Sequence, residues 1–252
     1  MATYAWIRII NLMFTFSILI NLGGGPVNMA IGIPFTNHTL NTNANKTVES
    51  DLLGTPRPFY KYQPYLILNG SNYVDIPNND TLQLTNFSIA AWFRTTIDVP
   101  FRSNAYIVNK GGFGLDKNGT NMNYGIWMTS SETIRAGFED LSGADYSVES
   151  PSSPNLYNHF QWHFVVTTYD GSTLRIYIDG IQIGTKFVGA LPDNTSTQPV
   201  RIGANSFKLN GFFTGNVDEI RIWNRPLTDS EILVAYNRGV YNTEGMLLYR
   251  PF

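Results

Sequence analysis

From Pro64 to its end the chain is a succession of short alternating or β-branched runs cut apart by turn residues, a pattern that leaves little room for helices. The runs read YLILN, NYVDIP, FSIAAWFRT, AYIVNK, NYGIWM, TIRAGF, FQWHFVVTTY, LRIYIDG, IQIGTKF, PVRIG, VDEIRIW and GMLLYRPF. Between them stand NGS, PNND, KGGFG, DKNG, YDGS and IDG, in which glycines supply positive φ and Asn or Asp side chains close turns on the backbone. TYDGSTLRIYIDG is a hairpin by this logic, two alternating strands around Asp170-Gly171-Ser172. So many short strands at this spacing predict an all-β fold, a two-sheet antiparallel sandwich or a barrel. One short C-terminal helix is expected at Thr228–Arg238, where Thr228 with Glu231 forms a capping box and Gly239 marks the stop.

Ahead of this domain lies different material. Residues 9–22, IINLMFTFSILINL, are apolar, follow Arg8, and lead through GGGPVNMA to Ala30. A positive start, an apolar middle and a small-residue tail predict that 1–30 is a secretory signal peptide, or a membrane anchor if uncleaved. The run is short of the about 20 apolar residues that span a bilayer comfortably. Residues 31–60 read as a polar linker without apolar periodicity. The domain is then 61–252, and the protein is expected to be secreted or at the cell surface. Asn-x-Ser/Thr acceptors at Asn37, Asn45, Asn69, Asn79, Asn86, Asn118 and Asn194 fit an exported glycoprotein.

Composition removes several function classes. There is no cysteine, hence no disulfide, thiol nucleophile or Cys-based metal site. A net charge of −2 without a basic run argues against nucleic acid as a partner. Apolar residues at 43% supply a core without such staples.

Three segments carry a family resemblance. YLILNGSNYVDIP followed by NFSIAAWFRT resembles the opening of laminin G-like, concanavalin A-like sandwich domains. WHFVVTTYDGSTLRIYIDGIQIG is similar to their central hairpin, and FFTGNVDEIRIWNRPLTDSEI to their closing strand and helix. The resemblance implies a concanavalin A-like jelly roll over nearly everything after Pro64. It also implies a structural calcium, Ca2+, between Asp218 and the Asn69-Gly70 turn. Asn69 stands where the stronger motif has Asp, so the site would lose a charge. The alternative for Asp218 is capping of backbone N–H groups at a strand end.

Within VDEIRIW, strict alternation puts Val217, Glu219, Arg221 and Trp223 on one face and Asp218, Ile220 and Ile222 on the other. Glycoside hydrolases share the architecture, but a retaining site needs two carboxylates on one face about 5 Å apart. Asp218 and Glu219 are adjacent, and Glu139-Asp140 run into a Ser-Gly loop where solvated charges are the expectation. His159 and His163 flank FQW in a strand and lack a third ligand. No catalytic residue is expected. Trp92, Trp162 and Trp223 fall in framework motifs, whereas Tyr124, Trp127 and Tyr146 fall outside them and are the candidate ligand contacts, with the irregular 140–158 stretch as a rim. The chain reads as a non-catalytic recognition or adhesion module whose partner is a glycan. The alternative is a surface or filament component binding a cell-surface or matrix protein, or itself as a homo-oligomer; a hydrolase is the weaker one.

Overall fold

The structure, a computed structural model, describes residues 4–11, 14–21, 64–97, 101–114, 119–152, 157 and 160–252. Two units separate along the chain, Met1–Thr39 and Leu40–Phe252. In the first, β1 (Tyr4–Asn11) and β2 (Phe14–Asn21) pair antiparallel, with Asn11 opposite Phe14. The apolar run expected as a leader is therefore largely extended. Ala30 and the 31–60 linker lie outside the described residues. No helix among the described residues is long and apolar enough to cross a membrane.

The second unit is a sandwich. In chain order its elements are β3 (Leu66–Asn69), β4 (Val74–Ile76), β5 (Phe87–Thr95), β6 (Ala105–Lys110), β7 (Tyr124–Met128), β8 (Ile134–Glu139), β9 (Asp145–Glu149) and β10 (His163–Tyr169). Then come β11 (Thr173–Ile178), β12 (Ile181–Phe187), β13 (Val200–Ile202), β14 (Thr214–Trp223), α1 (Asp229–Arg238) and β15 (Met246–Arg250). One sheet runs β12-β11-β10-β5-β14, with β15 and β3 both on the far flank of β14; the other runs β4-β13-β6-β7-β8-β9. All pairings between these strands are antiparallel.

Alternation explains the layers. In β5, Phe87, Ile89, Ala91 and Phe93 enter the main core between the sheets, while Ala90 and Trp92 face a second, smaller core. That second core lies under α1 and includes Trp162, Phe164, Trp223 and Ile232. The framework tryptophans are thus packing residues, as the sequence implies. The Asp179-Gly180 turn joins β11 to β12 with both φ values positive, 53° and 82°, as a two-residue hairpin of right-handed strands requires. The Asp179 carboxylate clips this turn onto β10, accepting from Phe164 N (2.8 Å) and pairing His163 Nδ1 (2.8 Å). His163 is structural.

Alternation fails in one place. β14 carries an extra residue against β5, since Asp218 pairs Trp92 but Arg221 pairs Ala90. The extra residue, Glu219, has φ +52°. This bulge resets the phase, so Val217, Ile220 and Ile222 all reach the main core, and Asp218 leaves the isoleucine face expected for it. On the flank of β14 away from β5, residues 214–217 pair β3 and residues 220–223 pair β15. The first and last strands of the domain lie end to end on one neighbour, not side by side. Asp218 sits at the join, where Oδ1 accepts from Glu219 N (2.7 Å) and Phe252 N (3.0 Å).

We expect Asp218→Ala to destabilise the domain by about 3 kcal/mol, because a charge-assisted acceptor of two backbone donors is removed from a buried position. Urea unfolding of the variant against the parent measures it, and a change under about 0.5 kcal/mol would show the clip to be dispensable.

Candidate functional site

The sequence-predicted rim does not assemble. Tyr124 and Trp127 are both fully buried. Tyr124 lies in the main core with its hydroxyl donating to Leu82 O (3.1 Å), and burial raises its phenol pKa. Trp127 stands on the outer face of the second sheet, yet Phe113 (centroids 4.8 Å apart), Tyr106 (5.9 Å) and Met122 enclose it. Neither ring offers a face to a ligand, which corrects the expectation. Its position outside the framework motifs made Trp127 a candidate, but nothing in the sequence showed that Phe113, Tyr106 and Met122 pack over it. Tyr146 is half-buried against Phe138 (5.4 Å), and its hydroxyl donates to Asp140 Oδ2 (3.2 Å). The irregular rim is itself partly strand, because β9 occupies 145–149.

The loop over Trp127 is fastened by a carboxylate that the sequence suggested was solvated. Glu139 is fully buried; Oε1 accepts from Gly114 N (2.6 Å) and Oε2 from Met122 N (2.6 Å). Asp140 closes its own turn, Oδ1 accepting from Ser142 N (2.8 Å) and Ala144 N (3.0 Å). Neither carboxylate is directed at a common reacting position.

The expected calcium ligands do not meet. Asn69 pairs Thr214, four residues from Asp218 along β14, which is about 13 Å at strand rise. Asn69 Oδ1 accepts from Ser71 N (3.0 Å) and Ser71 Oγ (2.8 Å), and Gly70 turns the chain at φ +81°. Asp218 holds backbone N–H groups, the capping role. These residues do not fit a shared ion. No group of three acid or histidine side chains suited to a metal occurs among the described residues.

What the fold does create is an open cleft of about 570 Å3 on the outer face of the first sheet, lined by Arg175, Tyr177, Gln182, Leu227, Thr228, Asp229 and Ser230. Its parts follow from local rules. In β11, Leu174, Ile176 and Ile178 enter the core, so Arg175 and Tyr177 point out. Asp170 fixes Arg175 (NH1 to Oδ2, 2.6 Å) while its other oxygen closes the turn through Ser172 N (2.9 Å) and Thr173 N (2.8 Å). Burial works against the ionised Asp170, but the Arg175, Ser172 and Thr173 bonds outweigh it and hold the carboxyl well below the ordinary range. The Tyr177 hydroxyl donates to Asp229 Oδ1 (2.7 Å) and lies 3.3 Å from Gln182 Oε1. Its pKa is raised, first by burial and then by the Asp229 carboxylate.

The other wall is the start of α1. Thr228 and Glu231 form the expected capping box, and Gly239 ends the helix at φ +60°. Glu231 also takes a two-point bond from Arg225, at 2.7 and 3.0 Å. Ser88 Oγ accepts from Leu227 N (2.7 Å) and donates to Arg225 O (2.8 Å), fixing the approach to the helix. The cleft is therefore rigid on both sides. Sequence reasoning found the hairpin and the capping box separately but missed the cleft, because nothing local shows that Tyr177 and Asp229 meet.

The chain matches the concanavalin A-like lectin/glucanases superfamily over residues 68–233. No curated protein matches it in sequence. Among solved structures it is similar to the CBM40 domain of the Ruminococcus gnavus IT-sialidase bound to alpha2,3 sialyllactose, with 13% identity, TM-score 0.56, and 68% of this chain covering 96% of that one. It is also similar to the binding domain of botulinum neurotoxin DC in complex with SialylT, with 17% identity, TM-score 0.55, and coverage of 80% and 47%. A third likeness is to a leech intramolecular trans-sialidase, with 18% identity and TM-score 0.52, where 68% of this chain covers 28% of that one. At these identities the likeness establishes the fold alone.

Two measurements follow. Trp127→Ala should cost about 3 to 5 kcal/mol of stability, as a large buried ring does; a variant that melts like the parent would return Trp127 to the surface. The Arg225 bond, opposed by burial, lowers Glu231 from 4.5 to about 2. Its folded pKa is depressed, so the associated stability is present above pH 4.5 and is lost as pH falls toward 2. With partial solvent screening the loss is about 2 kcal/mol, and Glu231→Gln should flatten the unfolding free energy across that window.

Proposed function

Since the chain belongs to the concanavalin A-like lectin/glucanase superfamily, we propose that it is a non-catalytic recognition module that binds carbohydrate in the cleft between β11, β12 and α1. The lining carries the reading. A guanidinium, a phenol, an amide, two hydroxyls and a carboxylate converge there beside one apolar residue, Leu227. A polyhydroxylated ligand presents donors and acceptors together, and this set answers both. The names of two similar structures print sialylated ligands, which supports glycan as the class and makes sialylated glycans the first to try. Arg175 is the cleft's cation for a sugar carboxylate. The engagement of Glu139, Asp140 and Asp218 with backbone N–H groups supports a binding role over hydrolysis. Export, with cleavage near Ala30, belongs to the same reading, and N-terminal sequencing of the mature chain tests it.

A single shallow cleft binds weakly, so display in several copies would raise avidity. One observation favours self-assembly as the second reading. β12 ends its sheet and exposes Ile181 (67%) and Phe187 (78%), apolar residues on a strand with no hydrogen-bonded strand on its outer side among the described residues. Sedimentation across a concentration series measures it.

Titration of sialylated and neutral oligosaccharides into the purified chain tests the site. Gln182→Ala should weaken binding about tenfold with melting unchanged. Arg175→Ala should weaken binding of acidic sugars about tenfold while lowering the melting point, because it also leaves Asp170 without its cation. Binding equal to the parent's in both variants would move the site elsewhere. A parent that binds no glycan would leave self-assembly as the function.

A further inference from the structure

The 192–198 loop is pinned on every side. Pro192 bridges Asp140, and Asp193 N donates to Glu139 O (2.7 Å). Thr197 N donates to Gly119 O (3.2 Å), Gln83 Nε2 to Ser196 O (3.4 Å), and Lys110 Nζ to Gln198 O (2.6 Å). Inside this frame Asp193 is fully buried. Its Oδ1 accepts from Thr195 N (2.8 Å) and Thr195 Oγ1 (2.6 Å). Its Oδ2 is buried with no hydrogen-bond partner. Three residues on, the Oγ of fully buried Ser196 also has none. Among the described residues no Lys, Arg or His forms an ion pair with Asp193.

A buried carboxylate oxygen without a donor is costly, and Asp193 is the one carboxylate among the described residues left in that condition. The two oxygens left over in this loop are hard ligands. We propose that the loop holds a calcium-type divalent cation through Asp193 Oδ2 and Ser196 Oγ. Backbone carbonyls and water are the chemistry that completes such a shell. With one charged ligand the site belongs to the weak class, with a dissociation constant of about 10⁻⁴ to 10⁻³ M. The position differs from the Asn69 and Asp218 pair, and it does not depend on whether the cleft binds sugar.

The test is thermal melting of the full chain in chelator, in calcium and in magnesium, with calorimetric titration of calcium. Calcium tenfold above its dissociation constant should raise the midpoint by about 3 to 5 °C. Asp193→Asn keeps the Oδ1 acceptor for Thr195 but removes the charge. It should melt at or above the parent in chelator and below it in calcium, a crossing that a merely structural aspartate would not give. Ser196→Ala, a smaller change, should weaken calcium binding severalfold with the chelator midpoint kept. Asn69→Ala should respond to calcium as the parent does. Two results overturn the proposal. One is absence of heat and midpoint shift with either cation, which assigns the two oxygens to buried water. The other is a calcium response that survives both Asp193→Asn and Ser196→Ala.

Discussion

Asp218 and the bulge beside it hold the domain closed. β14 has one flank filled by β5, while its other flank is shared by the first and last strands of the domain, β3 and β15. Two strands meeting head-on leave a gap in the ladder, and a gap in a buried sheet leaves backbone donors without acceptors. A single carboxylate oxygen serves Glu219 N and Phe252 N at that gap. The bulge turns Glu219 outward, where its carboxylate meets Arg221 (2.9 Å) and the Tyr241 hydroxyl (3.0 Å). Arg221 in turn lies between the rings of Tyr241, 3.4 Å from its centroid, and Tyr249, 4.1 Å. The guanidinium is thus paired and stacked, and burying it beside the second core is sustainable.

The same device recurs through the molecule. Charged residues are only 14% of the chain, below the usual quarter. Several of the carboxylates serve as acceptors for backbone N–H groups instead of as solvated surface. Glu139 binds Gly114 and Met122 to the second sheet, Asp140 and Asp170 close turns, Asp179 clips a hairpin to its neighbour, and Glu231 boxes the start of α1. Each replaces a disulfide in function, tying an irregular segment to a strand in a chain without cysteine. The consequence for the cleft is rigidity. It is bounded by a hairpin fixed at both turns and by a capped helix, so its polar groups are held in place, as the binding role proposed for it requires.

Much of the fold was legible because strand patterns and turn chemistry are local. β5, with its nine alternating residues, the hairpin at Asp170, the Asp179-Gly180 turn and the Thr228 capping box each depend on side chains within a few positions of one another. β9 was missed because its core face is only Tyr146 and Val148, alternating with Asp145, Ser147 and Glu149, too short a pattern to stand out on a sheet edge. Trp127 was misjudged for a different reason. Its strand was legible, but its burial comes from Phe113, Tyr106 and Met122, all outside that strand.

The sequence by itself determined the class of fold, the order of its strands, the framework tryptophans and the limits of α1, since period, turn residues and caps are written into neighbouring positions. Only the tertiary structure decided which polar groups face one another. The register of β3 on β14 separates Asn69 from Asp218. The bulge at Glu219 undoes the alternation of VDEIRIW. The packing of the 192–198 loop leaves Asp193 Oδ2 and Ser196 Oγ without donors. Such juxtapositions depend on the three-dimensional path of segments far apart in the chain, and a one-residue change in phase is enough to exchange a core position for a surface one.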